Sequence, residues 1–126
     1  MEQRGLDSFT PITPKFYEDL QHLRNGRWEG DVHCCNLHVR SGRCYWSDWE
    51  GSAPQHTNWE GRDDYNRHCR KLGMLLDLDS GTLSVYQDGL RLGTLKDGLA
   101  GEYCWTAGFS GQGNVFIQRG YNMNNV

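Results

Sequence analysis

An all-β domain with one short N-terminal helix is the fold class this sequence predicts, and three observations carry the prediction. Glycine is abundant (16 residues), proline is scarce (3), and 15 of the 126 residues are aromatic, a composition of dense turns rather than of disorder. Between Leu76 and Leu92 apolar and polar residues alternate with the period of a half-buried strand. Helical spacing of apolar residues is convincing only once, over Phe16, Tyr17, Leu20 and Leu23. With no break in composition, a single domain is expected.

Residues 1–13 read as an irregular lead-in. Thr13 and Pro14 then suit an N-cap and first helical residue, and Asn25-Gly26 suits the stop. From Asp31 the period changes. The stretch DVHCCNLHV places Val32, Cys34, Leu37 and Val39 on alternating positions, with a bulge expected between Cys35 and Leu37. RSGR reads as a turn and CYWSDW as the returning strand. The polar segment Glu50 to Arg70 shows no period and is expected to be a long loop.

Three strands in a meander follow. Leu76 and Leu78 alternate with Asp77 and Asp79, and Leu83 and Val85 with Ser84 and Tyr86. Asp88-Gly89 is a two-residue hairpin signal that sets Val85 opposite Leu92 and Tyr86 opposite Arg91. Asp97-Gly98 and Ala100-Gly101 break the chain. EYCWTAGFS and VFIQRG then read as two further strands, and residues 121–126 as a tail.

The centre of this region, DLDSG, raises the question of calcium. An EF-hand loop begun at Asp77 needs glycine at its sixth position and an acidic residue free at its twelfth. Thr82 stands sixth, and the twelfth, Asp88, belongs to the hairpin. Asp77 and Asp79 are therefore expected to be turn formers whose carboxylates bond nearby amides.

The run LGMLLDLDSGTLSVYQDGLRLGTLKDGLAGEYCWTAGFS closely resembles the core signature of the SPRY (B30.2-like) domain family. Gly73, Leu76, Asp77, Asp79, Gly81, Thr82, Leu83, Tyr86, Gly89, Leu92 and Gly93 fall on its pattern. The resemblance covers residues 73 to about 110; the upstream stretch RWEGDVHCCNLHVRSGRCYWSDWEG is similar to divergent, microalgal-type versions. It implies an antiparallel β-sandwich of concanavalin-like jelly-roll type over residues 14–120, used for protein recognition through rim loops and without catalytic residues. Strands that usually open the family's sandwich are replaced here by a helix and a lead-in. A shortened sandwich, or a fragment, would leave an open sheet edge for another chain to complete.

The tripeptide WEG occurs at Trp28, Trp49 and Trp59. Trp28 and Trp46 are expected in the core. Trp49 and Trp59 flank the polar segment, with Arg62 and Tyr65 following, and these are the residue types that dominate protein interfaces. Trp49, Trp59, Arg62 and Tyr65 are thus the expected partner-binding rim. The cluster His33, Cys34, Cys35, His38 with Cys44 supplies zinc-ligand types but no C-x2-C or H-x3-H spacing. Adjacent strand residues also point to opposite faces, so buried, apolar cysteines are expected, with no metal and no cofactor.

No catalytic constellation stands out. GFSGQG lacks the final glycine of a nucleophile elbow, and nothing selects a Cys–His pair among five of each. A net charge of −3 gives no footprint for nucleic acid. The N-terminus shows no signal-peptide core and no stretch is long enough to span a bilayer, so an intracellular, cytoplasmic location with reduced thiols is expected. The functional expectation is a non-catalytic module that binds another protein. The alternative is a lectin-like sandwich whose tryptophans stack on sugars.

Overall fold

The computed structural model describes residues 29–49, 55–108, 116, 118 and 119. The expected helix from Pro14, the lead-in, Trp28 and the tail lie outside them. Six strands occur among the described residues: β1 (Val32–His38), β2 (Arg43–Asp48), β3 (Gln55–Thr57), β4 (Leu72–Asp77), β5 (Thr82–Gln87) and β6 (Leu90–Lys96). They form two antiparallel three-stranded sheets, β1-β2-β3 and β4-β5-β6.

Both sheets are built from chain neighbours, and turn chemistry sets their registers. Asp88 and Gly89 both adopt positive φ (49° and 85°), as a type I′ turn requires, and join Gln87 directly to its partner Leu90. At the β4–β5 turn the Asp77 carboxylate accepts the Asp79 amide at 3.0 Å and the Ser80 amide at 3.3 Å. A hydrogen bond from the Ser80 side chain first, and then these amide bonds, hold the Asp77 carboxyl below the usual carboxylate range. Asp77 is a turn residue, as its place in the sequence led one to expect.

The core draws on both sheets. Val32 and Cys44 from the first, and Leu83, Val85 and Leu95 from the second, are buried together with Trp59 and Leu99. Met74 pairs with Val85 and Leu76 with Leu83, so the inward face of β4 and β5 is apolar over these pairs, and buried Gln87 follows opposite Leu72. Each such side chain contributes on the order of 1.5–3 kcal/mol when fully withdrawn from water.

Several sequence expectations are corrected. The bulge in β1 lies between Val32 and Cys34 rather than beyond Cys35. The extra residue, His33, shifts the frame, so Cys35 and Leu37, not Cys34, pack against the core. Tyr86 does face Arg91, but a second bulge sets Val85 opposite Gly93 instead of Leu92. Gly93 suits this place because a Cβ there would stand 2.9 Å from the Gly61 amide nitrogen. The polar 50–70 segment is not structureless: its described residues, 55–70, hold β3 and a 3-10 turn at Arg62–Asp64. Three residues are too few to show a period.

The EYCWTAGFS stretch forms no strand over 102–108. Tyr103 is tied instead by its side chain, its hydroxyl donating to the Val32 carbonyl at 2.9 Å. Cys104 and Trp105 are exposed rather than alternately buried. Phe116, Gln118 and Arg119 carry no strand either, and the rest of VFIQRG lies outside the described residues. No helix among them is long and apolar enough to cross a membrane.

Candidate functional site

The turn joining β1 to β2 organises the surroundings of three of the four expected rim residues. Gly42 takes φ +70°, a left-handed conformation that L side chains rarely adopt. Its amide closes the turn on the His38 carbonyl at 2.7 Å. The Gly42 carbonyl accepts the Trp59 indole N–H at 2.6 Å, and the Tyr65 hydroxyl donates to the Val39 carbonyl at 2.7 Å. The Trp59 and Tyr65 rings meet edge to face, 6.3 Å between centroids. Two aromatic side chains from the 58–65 segment thus clamp one hairpin turn.

That segment is fixed on its other side to β6. Glu60 accepts the Thr94 amide at 3.2 Å and pairs with Arg91 at 3.5 Å. A Cβ on Gly61 would collide with Leu92 and with the Trp59 ring. After the 3-10 turn, the Gln87 side chain, buried on β5, accepts the Asn66 amide and donates to the Asn66 carbonyl and the Cys69 sulfur. The whole 58–69 stretch is pinned by side chains rather than by a ladder.

Its solvent side is polar. Asn58, Trp59, Arg62 and Asp63 line an open depression of about 430 Å³, where the Arg62 guanidinium donates to the Asn58 carboxamide oxygen. Trp59 itself is only 8% exposed. It belongs to the core, and its expected place among surface anchors is corrected accordingly. Tyr65 is half-buried, and burial pushes its phenol up from the ordinary tyrosine value.

Trp49 does not join the other three. It follows β2 at the end opposite the Gly42 turn, where its amide donates to Asp31 at 3.2 Å and its ring lies 4.7 Å from His33. The length of the six-residue β2, roughly 20 Å, separates the two places. The expected four-residue rim is therefore two separate places. Asn58, Glu60 and Asp63, which sequence reasoning missed, complete the one at the turn. Their only signal was adjacency to Trp59 in TNWEGRDD.

The His–Cys cluster disperses. Cys35 faces inward, 3.9 Å from the Cys44 sulfur, while the strand alternation turns Cys34 to the opposite face. His33 bonds the Ser47 hydroxyl at 3.0 Å and His38 the Ser41 hydroxyl at 2.9 Å. Among the described residues no three His, Cys, Asp or Glu side chains are gathered for a metal. Burial raises the Cys34 thiol to about 11. Cys35 is raised further, first by its contact with Cys44 and then by burial. Both are therefore protonated, weakly nucleophilic thiols at neutral pH.

Compared with protein-family models, with curated proteins and with solved structures, the chain finds no match in any of the three.

Proposed function

We propose that this chain is a non-catalytic protein-interaction module of the SPRY kind, an adaptor or assembly subunit. In this reading its two sheets form an antiparallel sandwich and a loop surface recognises another protein, either a peptide or a folded face. One observation carries the reading. The 58–65 segment is locked from behind by Trp59 and Tyr65 yet presents Asn58, Arg62 and Asp63 to solvent in an open depression. A surface ordered in advance loses little freedom on binding, which favours recognition. An open, polar depression suits a protein surface better than a small ligand, which prefers an enclosed and mainly apolar pocket.

Affinity capture followed by mass spectrometry tests this. Arg62→Ala together with Asp63→Ala should deplete a protein captured by the parent chain while leaving the melting temperature within a few degrees. Capture that survives the double substitution would move recognition away from this surface. Reproducible hits on a glycan array, lost in Trp49→Ala, would favour sugar binding instead.

A further inference from the structure

Four strand edges bound the two sheets among the described residues; β3 is short, and β6 and the first residue of β1 are met by side chains from elsewhere in the chain. Along β6, Glu60 takes the Thr94 amide and Gly61 packs against Leu92 and Gly93. On β1 the Val32 carbonyl receives the Tyr103 hydroxyl, and β3 is three residues long. For β4, no strand pairs with the outer edge among the described residues. An open depression of about 430 Å³ lies at the C-terminal end of β4 and the turn after it, lined by Leu75, Leu76, Asp77, Leu78 and Asp79. Leu75 and Leu78 are 41% and 44% exposed. Of the six residues Leu72-Gly-Met-Leu-Leu-Asp77, only the last is charged. An edge this apolar is a template for another strand.

We propose that the strand it takes is β4 of a second copy, paired antiparallel about a two-fold axis at Met74. The register argues for this occupant. Residues directly opposite in an antiparallel pair share a face, so a two-fold that continues the sheet can set Met74 against itself. Leu72 then faces Leu76 of the second copy on the inward side. On the outward side Gly73 faces Leu75, and Lys71 comes opposite Asp77, an attractive ion pair that symmetry makes twice. Every cross-chain pair is apolar or of opposite charge, and the product is one six-stranded sheet ordered β6-β5-β4-β4-β5-β6. This deepens the interaction reading by naming a partner, and rests on it only in treating the chain as a binding module.

Light scattering and sedimentation of the purified full chain over a concentration series provide the test. The expected mass is twice the 14.5 kDa of one chain. Lys71→Glu sets two like-charge pairs across the junction and should raise the dimer dissociation constant about tenfold or more. Leu75→Lys, on the same exposed edge, should act in the same direction, and both variants should still unfold cooperatively, melting as the parent does at concentrations where the parent too is dissociated. A parent chain that is monomeric at every concentration overturns the proposal, as does a dimer that neither substitution weakens. A monomer that captures an extended peptide of another protein along β4 also removes the second copy as the occupant, but leaves the interaction reading in place. A β4-dependent dimer whose capture of other proteins is indifferent to Arg62 and Asp63 supports self-pairing while overturning the loop surface.

Discussion

The Trp59 indole nitrogen stands 2.6 Å from the Gly42 carbonyl oxygen, and this bond ties the segment after β3 to the hairpin turn before β2. The donor is buried, so its loss leaves an unsatisfied carbonyl in a place that water does not readily reach. Trp59→Phe should cost about 1–3 kcal/mol for the bond. Trp59→Ala should cost about 3–5 kcal/mol, the cavity included. Urea denaturation measures both, and a midpoint unchanged in Trp59→Ala would mean that the residue is not the core anchor described.

Gly42→Ala is the complementary change. It forces a side chain into a left-handed backbone and drives a Cβ to within 2.5 Å of the Tyr65 ring. The conformational part alone should cost roughly 1–2 kcal/mol, and displacement of Tyr65 adds to it. Tyr65→Phe, which removes only the bond to Val39, should cost about 1 kcal/mol. Because Gly42 and Tyr65 meet in one clamp, Gly42→Ala and Tyr65→Phe should be non-additive in a double-mutant cycle.

Acid should weaken the protein through His33. Burial lowers the His33 pKa in the folded chain, and the opposing pull of Asp48 does not cancel it. A group whose pKa is depressed by folding contributes stability that is present above its unfolded value, near 6.5, and lost as pH falls through the folded one. Denaturation midpoints should therefore decline below about pH 6.5, and His33→Gln should flatten that decline. An unaltered slope in the variant would assign the acid sensitivity to other groups.

The five cysteines should differ sharply in reactivity. Cys104 is exposed, whereas Cys44 is fully buried and Cys35 half-buried against it. Iodoacetamide at neutral pH followed by peptide mapping should modify Cys104 first. Cys35 and Cys44 should react only in denaturant. Early labelling of Cys44 would show that the β1–β2 hairpin opens without global unfolding.

The second sheet was legible in the sequence because local chemistry determines it. Asp88-Gly89 and the Asp77 carboxylate act within two or three residues of themselves, and apolar residues recur at every second position over Leu72, Met74 and Leu76 and again over Leu83 and Val85. The first sheet was less legible because a single inserted residue, His33, reverses which cysteine faces inward, and a bulge leaves no mark in composition. Trp59 shows the wider difficulty. A tryptophan beside a polar segment has the same identity whether it anchors a core or meets a partner, and only the distant Gly42 carbonyl decides between them. That Trp49 and Trp59 lie apart depends on which end of a hairpin each adjoins, a relation that spacing along the chain does not express.

Every strand pairing among the described residues joins neighbours in the chain, and this bears on the order of folding events. Each meander can zip by hairpin formation on the microsecond scale before the halves meet. Bonds of long sequence separation, Trp59 to Gly42, Thr94 to Glu60 and Tyr103 to Val32, then close the molecule. Contacts made after the rate-limiting barrier govern the rate of opening rather than of closing. The aromatic clamp on the Gly42 turn would then act as a latch, setting how long a folded molecule lasts more than how quickly it forms.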